Sequence, residues 1–370
     1  MVAQKDAGLR IRLLLFVGVP AALSVACLAS LQDRLQDTVQ SSALETSVVE
    51  TSTALAFPTE LPTLTPTITL TPTPVDTPTP SVTPTPTEIW GDFPGPAELS
   101  ATEIPPPMPE IEFADDVLNV IVLGSDQRPD TGGYRTDTMM IVSIDPHAGT
   151  AKLISIPRDL YVYIPGWRMD RINTADVRGG FEMTRQTILY NFGINLDGWA
   201  RTTFAGFINA VDALGGITVQ STGYLTDECG GVYRSYGPGS YFMDGFEALC
   251  YARMRKVTGD FDRLRRQQEI LQAIFFKIVS LDGLSRLPEV YNQFYNSLRT
   301  NLEVGDLLPL VPTAVQVASD SSRIQHFNVN SSMADFWRTP GGASVLLPKR
   351  DAILAMLVQA FGPEAFTQHP

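Results

Sequence analysis

A proline-rich segment limits how much of this chain can form a globular fold. More than half of the 28 prolines lie between Pro58 and Pro109, and no Lys or Arg occurs from Gln36 to Ile111. Such a composition cannot bury enough apolar surface to offset the entropy lost on ordering. We therefore expect residues 32–111 to form a disordered Thr/Pro-rich linker and residues 112–370 to form the globular domain. The threonines of the linker are candidate sites of O-glycosylation.

An apolar stretch before the linker predicts a membrane anchor. Residues 13–31 are uncharged and mostly apolar, which is just long enough to span a bilayer core. Lys5, Arg10 and Arg12 precede it, so residues 1–12 should stay in the cytoplasm and everything after the anchor should be extracytoplasmic. We predict a single-pass protein of the cell membrane. A cleaved signal peptide and a lipoprotein modified at Cys27 are the open alternatives.

The charge distribution argues against nucleic-acid binding. The net charge is −13, of which residues 1–116 carry −11 and residues 117–370 only −2. Binding to a phosphate backbone needs a clustered excess of Lys and Arg, and the globular region has no such block. We therefore expect no nucleic-acid partner.

Two cysteines lie in the extracytoplasmic part under this topology. In an oxidising compartment, Cys229 and Cys250 are expected to form a disulfide. Two free buried thiols are the alternative.

The pattern of apolar residues predicts an α/β fold. Strands are expected at Val117–Gly124, Met139–Ile144 and Ala151–Ile156, and helices cover much of the remaining sequence. Elements of both kinds in alternation imply a layered α/β/α domain with a central mixed sheet flanked by helices. The predicted helices and the two later strands are Gly180–Phe192, Phe204–Leu214, Asp244–Ala252, Phe261–Val279, Leu284–Leu298, Leu307–Ala318 and Arg350–Phe361, with strands at Ile217–Gln220 and Arg323–Val329.

Several kinds of chemistry are disfavoured. Only His147, His326 and His369 are present, without the paired spacing of metal ligands, so a zinc site and a Ser-His-Asp triad are not expected. Neither a phosphate-cradling loop of the Walker type nor a dinucleotide glycine fingerprint occurs.

Acidic and Arg residues lie at the ends of the predicted strands. Asp126 comes after the first strand, Asp137 enters the second, and Arg158-Asp159 follows the third. Ligands of open α/β sheets bind at strand ends, two carboxylates suit Mg²⁺, and Arg side chains suit a diphosphate. Surface ion pairs bordering loops are the alternative interpretation.

A second group of polar residues lies near the predicted helix Phe261–Val279. Arg253 and Arg255 are two residues apart and face the same way only if the backbone there is extended. Arg263, Arg266 and Gln267 share one face of the helix and could line a polar pocket. A solvated helix face is the alternative.

The motifs together resemble those of the LytR-CpsA-Psr family of cell-envelope proteins. They occur in order: Gly124-Ser125-Asp126-x-Arg128, Arg135-Thr136-Asp137-Thr138, Ser155-Ile156-Pro157-Arg158-Asp159, Arg171-Ile172-Asn173, Val211-Asp212-Ala213-Leu214-Gly215-Gly216, Tyr251-Ala252-Arg253-Met254-Arg255 and Asp262-Arg263 through Gln267-Gln268. The resemblance implies a phosphotransferase that moves a glycopolymer from a polyprenyl (undecaprenyl) diphosphate carrier to peptidoglycan through a phosphodiester bond.

The resemblance also implies roles for individual residues. Asp126 and Asp137 correspond to the acids associated with Mg²⁺, or with Mn²⁺ in its place. The diphosphate-binding arginines correspond to Arg135, Arg158, Arg253, Arg255 and Arg263, and the head-group contacts to Arg171 and Gln267.

Three points stay open at this stage. The general base could be Asp126 or Asp159. The apolar faces of Phe204–Val211 and Leu271–Ile278 could line a tunnel for the lipid tail, although ordinary core packing is the commoner fate of such faces. A non-catalytic envelope regulator that binds polyprenyl diphosphate, and a hydrolase of polyprenyl-diphosphate saccharides, are the alternatives to the ligase.

Overall fold

The computed structural model describes residues 92–126, 135–255, 259–280, 288, 291–292 and 297–366. The predicted cytoplasmic N-terminus, the membrane anchor at 13–31, the linker up to residue 91, Arg128 and most of the predicted helix 284–298 lie outside these residues. Within the described ranges, none of the helices is both long enough and apolar enough to cross a membrane.

A six-stranded mixed sheet forms the centre of the domain, with strand order β11-β6-β1-β2-β3-β12. The sheet starts with the antiparallel meander β1-β2-β3. Strand β6 then pairs in parallel with β1, and β12 pairs in parallel with β3. The strands are β1 (Leu118–Ser125), β2 (Thr136–Asp145), β3 (Thr150–Ser155), β4 (Tyr161–Tyr163), β5 (Met169–Arg171), β6 (Gly198–Thr203), β7 (Ile217–Ser221), β8 (Leu225–Cys229), β9 (Val232–Tyr236), β10 (Gly239–Met243), β11 (Leu298–Thr300), β12 (Ile324–Asn328), β13 (Ala334–Arg338) and β14 (Ser344–Pro348). The predicted mixed sheet is confirmed.

Helices pack against both faces of this sheet. They are α1 (Thr174–Phe192), α2 (Phe204–Ala213), α3 (Gly245–Arg253), α4 (Gly259–Ser280), α5 (Val304–Leu307), α6 (Val311–Ser319) and α7 (Arg350–Phe361), with short 3-10 turns at Leu308–Leu310, Ser321–Arg323 and Pro363–Ala365. Ile121 and Ile141 on one face share a buried cluster with α1 and α7. Met140 on the other face packs with α4 and α6. Because successive side chains of a strand point to opposite faces of the sheet, these two clusters lie on opposite faces. Helices therefore cover both faces.

Two-stranded antiparallel sheets complete the domain: β4 pairs with β5, β7 with β10, β8 with β9, and β13 with β14. The predicted disulfide is confirmed, because Cys229 at the end of β8 is bonded to Cys250 in α3. It fastens the β8–β9 hairpin to the helix that ends at Arg253.

The segment before residue 112 packs on the domain. The side chains of Ile104, Met108 and Ile111 are buried, and the Tyr190 hydroxyl donates to the Pro105 carbonyl at 2.6 Å. The domain therefore begins N-terminal to the predicted boundary. These apolar residues lie between the prolines and supply buried apolar surface that the composition of the whole linker did not predict.

Candidate active site

A β-bulge brings the first two acidic residues to the open end of β1 and β2. Gly124 pairs with Thr138 but Ser125 pairs with Thr136, so Asp137 is an extra residue in β2. A bulge of this kind redirects a side chain and interrupts strand pairing. Asp126 follows β1 directly and accepts a hydrogen bond from the Arg135 backbone N–H at 2.6 Å.

Arg158 is the centre of a chain of ion pairs at this end of the sheet. Its Nη1 lies 2.7 Å from Asp137 Oδ1 and its Nε lies 3.3 Å from Asp159 Oδ2. Asp159 Oδ1 is in turn 3.2 Å from Arg171 Nε, and Arg171 donates to the Ser344 carbonyl at 2.8 Å. These contacts hold together strands β2, β5 and β14 and the turn that follows β3.

The surroundings of Arg158 keep its guanidinium protonated. Burial by itself would lower the pKa of Arg158, but the carboxylates of Asp137, Asp159 and Asp260 outweigh it and raise that pKa above its ordinary value. The site therefore keeps a fixed positive charge at this position.

The first turn of α4 supplies a second buried cation. Arg263 is 5% exposed and its Nη2 donates to Asp260 Oδ2 at 3.1 Å and to the Asp137 carbonyl at 3.4 Å. Burial lowers the pKa of Arg263, and the neighbouring charges of Arg158 and Arg255 act in the same direction. Arg158 and Arg255 both disfavour the charged form of Arg263, so an anion bound beside these arginines would relieve the repulsion between them.

The end of α3 carries Arg253 and Arg255, which face the same way only if the backbone between them is extended. The helix ends at Arg253, and Met254 leaves the helical conformation with φ −56° and ψ 136°. Met254 is buried whereas Arg253 and Arg255 are exposed, so the condition of an extended backbone is met. The Arg253 guanidinium lies 4.4 Å from the centre of the Phe204 ring, a cation–π distance.

Arg266 has a structural task that the sequence pattern does not reveal. It is 1% exposed, and it donates to the carbonyls of Tyr251 and Met254. A cation at a helix C-terminus satisfies carbonyls that lack an intrahelical partner. Arg266 thus fixes the end of α3 from which Arg253 and Arg255 project.

An apolar cavity of about 320 Å³ opens between the sheet and helices α2, α3 and α4; we call it the first cavity. Gly124 and Thr138 at the strand ends belong to its wall, as do Arg253 and Gln267. The apolar part of the wall consists of Val122, Met140, Ala200, Phe204, Phe207, Ala210, Val211, Leu214, Leu249, Ala252, Ile270, Leu271, Ile274, Ile278 and Leu298. The two helix faces for which core packing was the favoured interpretation do pack in hydrophobic clusters, and they also border this cavity.

The predicted residues fall into neighbouring groups. Asp137, Arg158, Asp159, Arg171 and Arg263 form a connected set, and Asp126 with Arg135 forms a looser pair, whose Oδ2 to Nη2 distance is 3.6 Å. Arg253 and Gln267 line the cavity mouth. Asp260 was missed as a contributor to the site, although its three-residue spacing from Arg263 in the first turn of a helix is a signal for it. Phe204 was predicted only as part of a possible tunnel wall, and its contact with Arg253 was not.

The acidic residues fit Mg²⁺ only in part. In the part of the chain that the structure describes, no group of three or more His, Cys, Asp or Glu side chains could hold a metal ion. Mg²⁺ is commonly held by one or two carboxylates together with substrate phosphates and water. Asp126 directly follows β1 and Asp137 lies in β2, beside the cationic cluster formed by Arg158, Arg253, Arg255 and Arg263. The two acids match that pattern when a phosphate ligand is present.

Comparison with known proteins agrees with the motifs. A transferase named polyisoprenyl-teichoic acid–peptidoglycan teichoic acid transferase TagU from Oceanobacillus iheyensis is 34% identical over 204 residues, covering 53% of this chain and 62% of the relative. The Bacillus subtilis protein of the same name is 34% identical over 190 residues, covering 50% and 60%. The chain thus spans less than two thirds of the length of these relatives.

Solved structures share the fold. The crystal structure of B. subtilis TagV matches with a TM-score of 0.57 and 25% identity, covering 67% of this chain and 98% of that one. A structure of TagT bound to LI-WTA matches with a TM-score of 0.52 and 26% identity, covering 68% and 94%. The LytR_cpsA_psr family model matches residues 100–358, which is more than half of the chain and begins within the packed segment before residue 112. This chain belongs to the LytR-CpsA-Psr family.

Proposed function

We propose that the protein transfers a glycopolymer from a polyprenyl diphosphate carrier to peptidoglycan, forming a phosphodiester bond. The observation that carries this proposal is the junction of a cationic cluster with an apolar cavity. Arg253 belongs to the cavity wall. Arg158 and Arg263 meet at Asp137, the first through its carboxylate at 2.7 Å and the second through its backbone carbonyl at 3.4 Å. A ligand that suits both parts has an anionic head and a long apolar tail.

Each part of the ligand has a matching surface. Arginine guanidinium groups bind phosphate oxygens with two parallel hydrogen bonds and stay charged. The first cavity is almost entirely apolar, which suits an isoprenoid chain. The names of the TagU relatives, which act on polyisoprenyl-linked teichoic acid and peptidoglycan, support the same substrate class for this chain.

The proposed reaction is a displacement at phosphorus. A hydroxyl oxygen of peptidoglycan forms a bond to the phosphorus that carries the glycopolymer, and the bond from that phosphorus to the bridging oxygen breaks. Polyprenyl monophosphate leaves with the bridging oxygen, and the hydroxyl proton passes to a base. Such transfers depend mainly on positioning and charge stabilisation, which fixed arginines supply.

Asp126 is the better of the two candidate bases. Both oxygens of Asp159 face guanidinium nitrogens, at 3.3 Å from Arg158 and 3.2 Å from Arg171. Among the described residues, Asp126 Oδ2 is approached by the Arg135 guanidinium at 3.6 Å, so this carboxylate is the more available of the two to accept a proton.

A divalent cation completes the proposal. Asp126 and Asp137 would hold Mg²⁺, or Mn²⁺ in its place, together with diphosphate oxygens, and the ion would neutralise phosphate charge. We expect an Asp137→Asn variant to need a higher Mg²⁺ concentration for half-maximal transfer, measured in a metal titration after chelation. An unchanged requirement would remove Asp137 from the metal site.

The decisive test uses the full chain in detergent with a polyprenyl-diphosphate saccharide, Mg²⁺ and peptidoglycan fragments. Release of polyprenyl monophosphate and labelling of the fragments are scored together. We expect Arg158→Ala to slow transfer on the order of a hundredfold or more, whereas Arg185→Ala, which removes a surface pair with Glu182, leaves it unchanged.

The other functions give different results in the same assay. Monophosphate released without labelled fragments would indicate a hydrolase. Lipid binding without turnover would indicate a regulator. Residues 13–31 are proposed to anchor the chain in the cell membrane with the domain outside, which protease accessibility in intact cells and in inverted vesicles would test.

A further inference from the structure

The β8–β9 hairpin is attached to helix α3 at both ends of the helix. Arg234 of β9 forms an ion pair with Glu247 in the first turn of α3, with 2.5 Å between Nη1 and Oε1. Cys229 of β8 is bonded to Cys250, three residues before the helix ends at Arg253. The hairpin therefore holds α3 near its start and near its end.

A third attachment lies just beyond the helix, at Arg255. Asp227 of β8 is 6% exposed, and its Oδ2 accepts a hydrogen bond from the Arg255 backbone N–H at 3.0 Å. Its Oδ1 accepts the Glu228 backbone N–H at 2.8 Å, and Arg234 is its direct partner across the hairpin. A buried charge is stable only with such partners, so these contacts account for a carboxylate in the interior.

The Asp227 contact takes over where the hydrogen bonds of the helix stop. The Met254 N–H still donates to the Cys250 carbonyl, at 3.0 Å, but Met254 itself is extended, with φ −56° and ψ 136°. The next N–H along the chain is that of Arg255, and it donates to Asp227. In an extended segment the backbone determines to which side each side chain points. Asp227 therefore fixes the backbone from which the Arg255 side chain extends.

We propose that Asp227 is a positioning residue of the active site, acting through the backbone of Arg255 on the guanidinium that binds the substrate diphosphate. The inference rests on the proposed function, which supplies the role of Arg255. Both oxygens of Asp227 accept backbone N–H groups within the protein, so Asp227 acts without touching the substrate. Arg266 holds the Met254 carbonyl and Asp227 holds the following N–H, and the segment is thereby fixed from α4 and from β8.

The test measures binding of farnesyl diphosphate to the full chain in detergent with Mg²⁺, by titration calorimetry. Asp227→Ala removes both acceptor oxygens, whereas Asp227→Asn keeps one side-chain oxygen for the Arg255 N–H. Asp244→Ala is the matched control, because Asp244 Oδ1 accepts the Glu247 backbone N–H at 2.8 Å at the opposite end of the same helix. Thermal unfolding verifies that each variant is folded, and both alanine variants should lower the melting temperature. Asp227→Ser, whose hydroxyl is one bond shorter than the carboxylate, replaces Asp227→Ala if that variant does not fold.

We expect Asp227→Ala to raise the Kd for farnesyl diphosphate on the order of tenfold, because a guanidinium displaced by about 1 Å loses the alignment of its paired hydrogen bonds to phosphate. Asp227→Asn should recover most of the affinity, and Asp244→Ala should leave the affinity unchanged. In an Arg255→Ala background, Asp227→Ala should have no further effect, because the group that it positions is then absent.

Unchanged affinity in the folded Asp227→Ala variant would overturn the inference. An equal loss of affinity in the Arg255→Ala background would overturn it as well, since Asp227 would then influence the site by a route other than Arg255. Absence of farnesyl diphosphate binding to the unmodified chain would instead refute the proposed function, together with the role of Arg255 on which the inference depends.

Discussion

Replacement of Gln268 by Met tests how firmly α4 is attached to the sheet. Gln268 is 1% exposed, and its amide nitrogen lies within hydrogen-bond distance of four acceptors on β3 and β12. These are the Leu153 carbonyl at 3.2 Å, Ser155 Oγ at 2.9 Å, the Phe327 carbonyl at 2.9 Å and Asn328 Oδ1 at 3.0 Å. Its amide oxygen lies 3.0 Å from His326 Nδ1.

The number of hydrogen bonds that Gln268 can make at one time sets the expected loss in the free energy of unfolding. An amide nitrogen has two hydrogens, so Gln268 makes two donated bonds at a time and a third through its oxygen. Each contributes about 1 kcal/mol, and buried groups left without a partner cost more. Since Met conserves the length of the side chain, the loss is chiefly polar, and we expect the free energy of unfolding to fall by about 3 kcal/mol.

Urea denaturation of the full chain, followed by circular dichroism, measures this change. Gln186→Met is the matched control, because Gln186 bonds Glu182 on an exposed face of α1; its effect should stay within about 0.5 kcal/mol. A loss below about 1 kcal/mol in Gln268→Met would refute the reasoning and show that water or a rearranged neighbour satisfies the acceptors.

Three further perturbations test other parts of the structure. Burial lowers the pKa of His326 below its ordinary 6.5, so the unfolded chain binds more protons as pH falls through 6.5 and the free energy of unfolding decreases there. His326→Gln should reduce this pH dependence in urea titrations at several pH values. Reduction of the disulfide Cys229–Cys250, which closes 21 residues of sequence separation, should lower the free energy of unfolding by about 3 kcal/mol, with the Cys229→Ser/Cys250→Ser variant insensitive to reductant. Gly193→Ala should lower the melting temperature by several degrees, on the order of more than 2 kcal/mol, because Gly193 has φ +67° and a Cβ there would lie 2.0 Å from the Pro109 carbonyl oxygen. A loss no larger than the roughly 1 kcal/mol that the left-handed backbone alone costs would mean that the segment before residue 112 is detached in solution.

The central sheet and the charged cluster could be predicted because their signals are local. A continuous apolar run predicted Val117–Gly124, and β1 covers Leu118–Ser125. Residues that follow strands in sequence lie at strand ends in space, so Asp126 and Arg158 were expected at strand ends and could share one crevice. They share one edge because β1 and β3 both run antiparallel to β2, which the sequence did not show.

Other features depend on partners that are distant in sequence. The hairpins β4–β5 and β13–β14 have short strands, of three and five residues, whose periodicity is too brief to detect. The bulge at Asp137 exists only through its pairing with β1. An apolar stripe such as Leu271–Ile278 looks the same whether it meets a packed core or a cavity, because periodicity shows which way a face points and not what fills the space opposite.

Helix α4 explains why the motif around Arg263 combines residues with different tasks. Arg263 contributes charge to the cluster, Arg266 holds the end of α3, and Gln267 lines the first cavity. Gln268, the next residue, ties the same helix to β3 and β12. Successive helical residues differ by about 100° in direction, so these neighbours reach four different surroundings from one rigid element. A shift of α4 would displace the arginines and the cavity wall together, and the buried amide of Gln268 therefore positions both halves of the site although it lies in neither.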